Sequence, residues 1–398
     1  MFNVSRLLIM MFLQYFTQGA WNMTIGAVLA DYGMKNSIGS TYALLGLATL
    51  ISPLFIGMIA DRFFAAQKTI AILHLLNSAV LYQIPSTILH NEYSHFFVLI
   101  FIVGLLYYPT TALSNSITFQ HLSDSRNFPF IRVFGNIGFI TAGLIIGYFN
   151  IFDQVIVFEI AALSSLICGL YCFTLPNTPP AARHSVINWK TLLCLDAFIL
   201  FRDKFFTIFM AVTMLLMLTK TSYSAYISVY LQDFQLNAAN MMQIAVISEV
   251  IFMLLLSLSI KKFGFKWVMG MGIIAWFIRT YLLSISAAAT TPLTYIVISL
   301  ALQGVCWTFF FATGDVYINY KANDHIRTQA QSLRFMLSNG IGVLVASYII
   351  GIIYNNVITQ HQLPLIAEQW SEFWLYPSAI ALVAGILFLT LFKNEKAT

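Results

Sequence analysis

Glu249 lies in Val246-Ile-Ser-Glu249-Val-Ile-Phe, with no other charge within ten residues on either side. A carboxyl group in so apolar a run must be protonated, paired or turned toward water. A group whose charge depends on its surroundings is what a proton carrier needs. Lys220 is the second candidate, in Leu218-Thr-Lys220-Thr-Ser-Tyr223-Ser. Its polar neighbours suggest a cavity wall, where it either serves binding and coupling or forms an ion pair with Glu249. Arg132, Asn136 and Phe139 share one helix face by their i, i+4, i+7 spacing. A cation, an amide and a ring on one face suit a polar, ring-shaped ligand; the competing reading is a snorkelling arginine on a glycine-packed helix. Gln303 and Trp307, one turn apart, offer a second amide and a second ring.

Other polar groups extend this set. Asp315 and Arg334 are placed to form a gating pair toward the cytoplasmic side. Arg279 reads as a structural cation paired with an acid elsewhere, and Glu159 as a group reaching the outer interface. Tyr107-Tyr-Pro109-Thr110-Thr111 is expected to break its helix at the proline and free carbonyls. Gln14, Gln18, Trp21 and Asn22 add amides and a ring near the N-terminus. No motif of enzyme chemistry is present: there is no Walker A loop, no H-E-x-x-H and no G-x-S-x-G turn. No metal-ligand cluster and no cofactor are expected. Cys168, Cys172, Cys194 and Cys306 read as apolar filler, because a pair four apart on one helix is poorly placed for a disulfide.

These side chains must be positioned by membrane helices. The chain has 398 residues, 59% of them hydrophobic and only 9% charged. A soluble domain carries about 25% charged residues, so a water-facing surface cannot be built and a soluble enzyme is excluded. The apolar runs are long and continuous, unlike barrel strands that alternate over ~10 residues. The net charge of +5 is not gathered into a basic domain, so no nucleic acid is expected as partner. Punctuation by charged and turn residues predicts twelve spans: 7–30, 38–60, 68–89, 95–119, 131–150, 153–174, 205–231, 239–260, 265–287, 292–319, 328–354 and 372–392. The first is read as an uncleaved span, since its apolar run exceeds a signal peptide and lacks an A-x-A-like site.

With both termini in the cytoplasm, fifteen of the 20 lysines and arginines fall inside and only Lys35 outside. That asymmetry follows the positive-inside rule. The fold class expected is an all-α integral membrane protein of twelve helices in two six-helix halves, residues 1–174 and 205–398. A cytoplasmic linker, 175–204, joins them through an amphipathic helix. The 2–3 loop, Gly57-Met-Ile-Ala-Asp61-Arg62, and the 8–9 loop, Lys261-Lys262-Phe-Gly264-Phe-Lys266, are both short and cationic. Such repetition is how major facilitator carriers are built. The first resembles that superfamily's G-x-x-x-D-R loop, and Asp61 and Arg62 are expected to act in gating.

The chain resembles the nucleoside:proton symporter family of the major facilitator superfamily. The resemblance is carried end to end by Phe12-Leu-Gln14 with Gly19-Ala-Trp21; Asp61-Arg62-Phe63; Tyr108-Pro109-Thr110 with Asn115-Ser116; Phe128-Pro-x-Ile-Arg132-Val with Gly135 and Gly138-Phe139; and Leu195-Asp196-Ala197. It continues through Ser248-Glu249, Ala275-Trp276 with Arg279, Arg327-Thr with Ala330-Gln331, and Asn339-Gly340 with Gly342. It implies nucleoside contact for Arg132 and Phe139, and proton coupling for Glu249. The pattern departs at several pocket positions. Asn136 replaces a threonine and Val246 a glutamine. Thr221 and Ser224 stand near a glutamine and an asparagine, with Lys220 added beside them. Gln303 and Thr308 stand for a tyrosine and an aspartate.

The expected function is nucleoside import by proton symport and alternating access across a bacterial inner membrane. Arg132, Asn136, Phe139, Thr221, Ser224, Gln303 and Trp307 are the substrate-binding candidates, Glu249 and Lys220 the proton-coupling pair. The partners are substrate, protons and membrane lipid, and the carrier is expected to be a monomer. The alternative is a proton-coupled or facilitative carrier of another polar solute, such as a sugar or glycoside.

Overall fold

The computed structural model describes residues 2–52, 64–122, 128–179, 190, 194–288, 292–323, 326–359 and 364–393. Asp61 and Arg62 lie outside the described residues. The elements are α1 (Phe2–Trp21), α2 (Ile25–Asp31), α3 (Ile38–Ser52), α4 (Ala66–Leu89), α5 (Tyr93–His121), α6 (Phe128–Tyr148) and α7 (Ile156–Cys172). They continue with α8 (Lys204–Asp233), α9 (Ala238–Ala288), α10 (Leu293–Lys321), α11 (Arg327–Val357) and α12 (Leu365–Leu391). No strand occurs among the described residues. Eight of these helices, α4, α5, α6 and α8 to α12, are long and apolar enough to cross a membrane. Many large apolar side chains on them point outward, Leu254 at 77% exposure being an extreme case. Outward apolar faces with polar groups kept inside are what a hydrocarbon solvent demands.

The chain forms two compact units, residues 1–186 with 234–240, and residues 187–233 with 241–398. In the first, α1 lies directly on α6. A Cβ at Gly138 would land on the Phe12 carbonyl, and one at Gly19 would come within 2.7 Å of the Phe139 carbonyl oxygen. Small residues let these backbones touch, which drives helix association where no water remains to be expelled. A buried polar network crosses the same unit. Gln14 Nε2 donates to Thr110 Oγ1 at 2.7 Å, and Gln14 Oε1 faces His74 Nε2 at 2.6 Å. His74 Nδ1 meets Ser165 Oγ at 2.9 Å, and Asn77 Nδ2 donates to Ser165 Oγ at 3.1 Å. Because the Gln14 carbonyl only accepts, His74 carries its proton on Nε2.

In the second unit, residues Leu195–Arg202 form a short 3-10 helix before α8. Asp203 caps α8: its Oδ1 accepts from the backbone amides of Phe205 at 2.7 Å and Phe206 at 3.0 Å. Its other oxygen pairs with Lys321 Nζ at 2.9 Å, tying the start of α8 to the end of α10. Partial burial pushes the Asp203 carboxyl up, but Lys321 and the two amides outweigh it and hold the group below its ordinary range.

Two sequence expectations need revision, and a third is met. The first span is two helices, interrupted at residues 22–24, where the Tyr42 hydroxyl donates to the freed Asn22 carbonyl at 3.2 Å. Pro109 does not break α5. The Thr110 and Thr111 hydroxyls instead donate to the carbonyls of Tyr107 and Tyr108, at 2.5 and 2.7 Å. The spans at 239–260 and 265–287 are two helical segments of α9, and they part at Gly264 (φ 78°, ψ 170°), a conformation in which a Cβ is strained.

Two outcomes follow from this packing. Gly138→Val should cost about 1–3 kcal/mol, the usual range for an overpacked contact. It would be read as a lower Tm in detergent; an unchanged Tm would refute the close contact. For Asp203, a lowered folded-state pKa means its stabilisation is present above the unfolded carboxylate range. It is lost as pH falls through the folded value. Wild type should therefore exceed Asp203→Asn in Tm at neutrality, with the gap closing below about pH 4. A gap that persists at lower pH would show that charge is not the cause.

Candidate functional site

The α9 segment carrying Glu249 presents two faces. Ile247, Ile251, Leu254 and Leu258 form an exposed apolar stripe. Successive helical residues turn by about 100°, so Glu249, two positions from both Ile247 and Ile251, points away from it. Glu249 is half-buried and engaged, its charge acting on Lys220 and on Tyr223. The neighbouring Ser248 fixes the helix in place: its hydroxyl donates to the Ala301 carbonyl and accepts from the Gly304 amide at 3.2 Å. A Cβ at Gly304 would collide with the Ser248 carbonyl. Glu249 and Gln303 thus flank a close approach of α9 and α10.

Lys220 projects from α8 into the same region. Its Nζ donates to Asn339 Oδ1 at 3.0 Å and lies 5.1 Å from the centre of the Trp307 ring and 5.8 Å from that of Phe311. The sequence left a Glu249 pair open for Lys220; the recorded hydrogen bond goes to an amide, and Glu249 acts on it by charge. Arg279, from the later part of α9, is fully buried. Its guanidinium stacks 3.7 Å from the Tyr223 ring centre and 5.1 Å from that of Trp276, and Nη1 donates to Gln303 Oε1. Its expected acid partner is replaced by a neutral amide. Arg279 Nε and Nη2 have no hydrogen-bond partner among the described residues.

Helix irregularity aims these groups. Trp307–Ala312 and Met336–Gly342 are π-helical turns within α10 and α11. Wide turns of this kind are frequent at functional sites. One carries Trp307 and Phe311, the other Asn339, and all three meet Lys220. Farther along, Arg334 pairs with Asp315, and Gln331 Nε2 braces that end of α10 through the Asp315 carbonyl at 2.7 Å and Asn319 Oδ1 at 2.9 Å.

In the first unit, Arg132 stacks on Tyr15, 4.0 Å from the ring centre, and its Nη1 has no hydrogen-bond partner among the described residues. Phe130, Val133, Ile137 and Leu144 form the exposed stripe of α6, whereas Arg132, Asn136 and Phe139 are half-buried on another side. Gly135 makes room for the stack, since a Cβ there would press on the Tyr15 ring at 2.6 Å.

The structure therefore gathers Lys220, Glu249, Gln303 and Trp307 into one cluster. Thr221 is buried and Ser224 half-buried on α8 beside it. Glu159 is exposed near the start of α7. Gln14 and Thr110 are spent on internal bonds. Tyr15, Tyr223, Phe311 and Asn339 complete the arrangement without having been marked as site residues. Only the match of Asn339-Gly340 to a family segment, and the place of Tyr223 one turn after Lys220, signalled any of them in the sequence.

Known proteins share this construction. Residues 1–397 match the family described as "Nucleoside H+ symporter". The putative nucleoside transporter YegT of Escherichia coli is 34% identical over 99% of this chain and 94% of its own length. The nucleoside permease NupG of Escherichia coli is 29% identical over 98% of this chain and 96% of its own. A crystal structure of nucleoside transporter NupG superposes with a TM-score of 0.87 at 28% identity, covering 99% of this chain and 100% of that one. The half-buried carboxylate of α9, the stacked arginine of α6 and this end-to-end similarity agree, and the chain belongs to the nucleoside H+ symporter family of multi-pass membrane transporters.

Proposed function

We propose that this carrier accumulates nucleosides against their gradient, with Glu249 carrying the coupled proton. The observation that supports the proton role is the orientation of Glu249, turned from the exposed apolar stripe and placed so that its charge acts on Lys220. The protein is a carrier rather than an enzyme. In this reading it is a monomer in the inner membrane of a bacterium, with twelve spans and both termini cytoplasmic. Its halves are 1–174 and 205–398, joined by 175–204.

Roles follow from chemistry. Arg132 offers unsatisfied N–H groups to a carbonyl-rich base or to ribose, and Phe139 a ring to stack on. Asn136 adds a donor and an acceptor on the same face. Gln303, Thr221, Ser224 and Trp307 provide hydrogen bonds and an aromatic plane in the second unit. Lys220 sets the charge that Glu249 experiences. Alternating access requires contacts that form in one state and break in another. The Asp315–Arg334 pair is of that kind, and Asp61 and Arg62 are assigned a gating role on their loop motif alone.

Uptake of radiolabelled uridine and adenosine into proteoliposomes tests this reading. An inward proton gradient should drive accumulation by the wild type. Glu249→Gln should lose gradient-driven accumulation while still exchanging nucleoside across the membrane. Full concentrative uptake by that variant would sink the proton role. Equilibration by the wild type regardless of the gradient would favour a facilitator, in which Lys220 supplies a permanent charge. Arg132→Ala should weaken uridine binding at least tenfold, equivalent to about 1.4 kcal/mol, with the Tm in detergent preserved. Unchanged affinity would remove Arg132 from the binding surface.

A further inference from the structure

The charges of the α8–α11 cluster do not balance. Lys220 and Arg279 are both cations, and the Arg334–Asp315 pair beside them is neutral as a whole. Glu249 is the carboxylate acting on the cluster among the described residues. The immediate neighbours of Arg279 are neutral: the Gln303 amide, the Tyr223 and Trp276 rings and the Cys306 thiol. Lys220 likewise rests on an amide and two rings. Among the described residues one positive charge is therefore left over, and Arg279, fully buried, keeps two nitrogens without a hydrogen bond there. Burying unmatched charge is costly, and a cation with free donors is relieved best by an anion that accepts them.

The aromatic planes narrow the ligand further. Trp307, Phe311 and Tyr223 set aromatic planes, the kind of surface a flat base favours, directly beside the two cations. A negative group reaching them would project from the base rather than from the ribose. Protonation of Glu249 removes the one carboxylate and leaves the cluster more positive. Proton loading and anion binding would then reinforce each other.

Building on the nucleoside reading above, we infer that the preferred substrate is a nucleoside whose base carries a single negative charge, held by Arg279 and Lys220. Orotidine, which is uridine with a carboxylate on its base, is a suitable probe. Orotate, the same acidic base without ribose, is its control. Binding of uridine, orotidine and orotate to purified full-length protein in detergent is to be measured by calorimetry. Uridine uptake into proteoliposomes is to be measured alongside.

Wild type should bind orotidine at least tenfold more tightly than uridine. Arg279→Gln should reduce that ratio to within about twofold. Arg279 is buried and its variant can misfold, so Lys220→Gln serves as an independent test, expected to reduce the ratio in the same direction. The wild-type ratio is decisive by itself. Uridine binding as tightly as orotidine, with uridine uptake intact, would overturn the inference and leave the nucleoside reading standing. A tenfold preference that survives in both folded variants would also overturn the assignment to these cations. Orotate matching orotidine, with no uridine binding or uptake, would support the anion site and remove the nucleoside reading.

Discussion

A charge placed among hydrocarbon chains must find its partner within the protein, and the arrangement of this carrier follows from that constraint. Lys220 sits midway along a thirty-residue apolar helix. It is met by an asparagine oxygen and two aromatic faces, and the charge of Glu249 acts on it. Arg279 is met by an amide and two rings. Cation–π contacts are worth up to ~2 kcal/mol when desolvated, which is less than full neutralisation.

The two units meet this constraint by different means. In the first, neutral groups satisfy one another: Gln14, His74, Thr110, Ser165 and Asn77 form a network in which His74 serves as a donor on one side and meets a hydroxyl on the other. Buried networks of this kind rigidify a core when their members are paired. Arg132 stands apart from that network, stacked on Tyr15 with one nitrogen unpartnered among the described residues. In the second unit the irregular turns and the charges coincide.

The sequence showed the class of fold through composition and through the clustering of lysine and arginine on alternate loops. It also showed Glu249 and Arg132, because each stands out against an apolar background. What it concealed depends on three-dimensional closeness. Tyr15 and Arg132 are far apart in the chain and meet only because Gly135, Gly138 and Gly19 let α1 and α6 touch. Asn339 reaches Lys220 across 119 positions. The expected break at Pro109 does not occur in α5, where the Thr110 and Thr111 hydroxyls bond to the backbone carbonyls of Tyr107 and Tyr108. A polar residue in a membrane helix can serve its own backbone or a ligand, and local sequence does not distinguish the two.

The two π-helical turns bear most directly on how such a cluster can work. A π turn widens the helix and shifts its later residues round by a fraction of a turn, so hydrogen bonds near it are easily exchanged. Thr313 illustrates this: its hydroxyl donates to the Thr308 carbonyl five residues back, at 3.2 Å. Trp307 and Phe311 lie within one turn and Asn339 within the other, and these are the contacts that hold the Lys220 ammonium. A small change in either turn would move a ring or an amide relative to that charge without breaking the helix ends. Close packing at Gly304 and Gly342 holds the helices on either side, through Ser248 and Met217. Both turns meet at Lys220, and the charge of Glu249 acts on the same group.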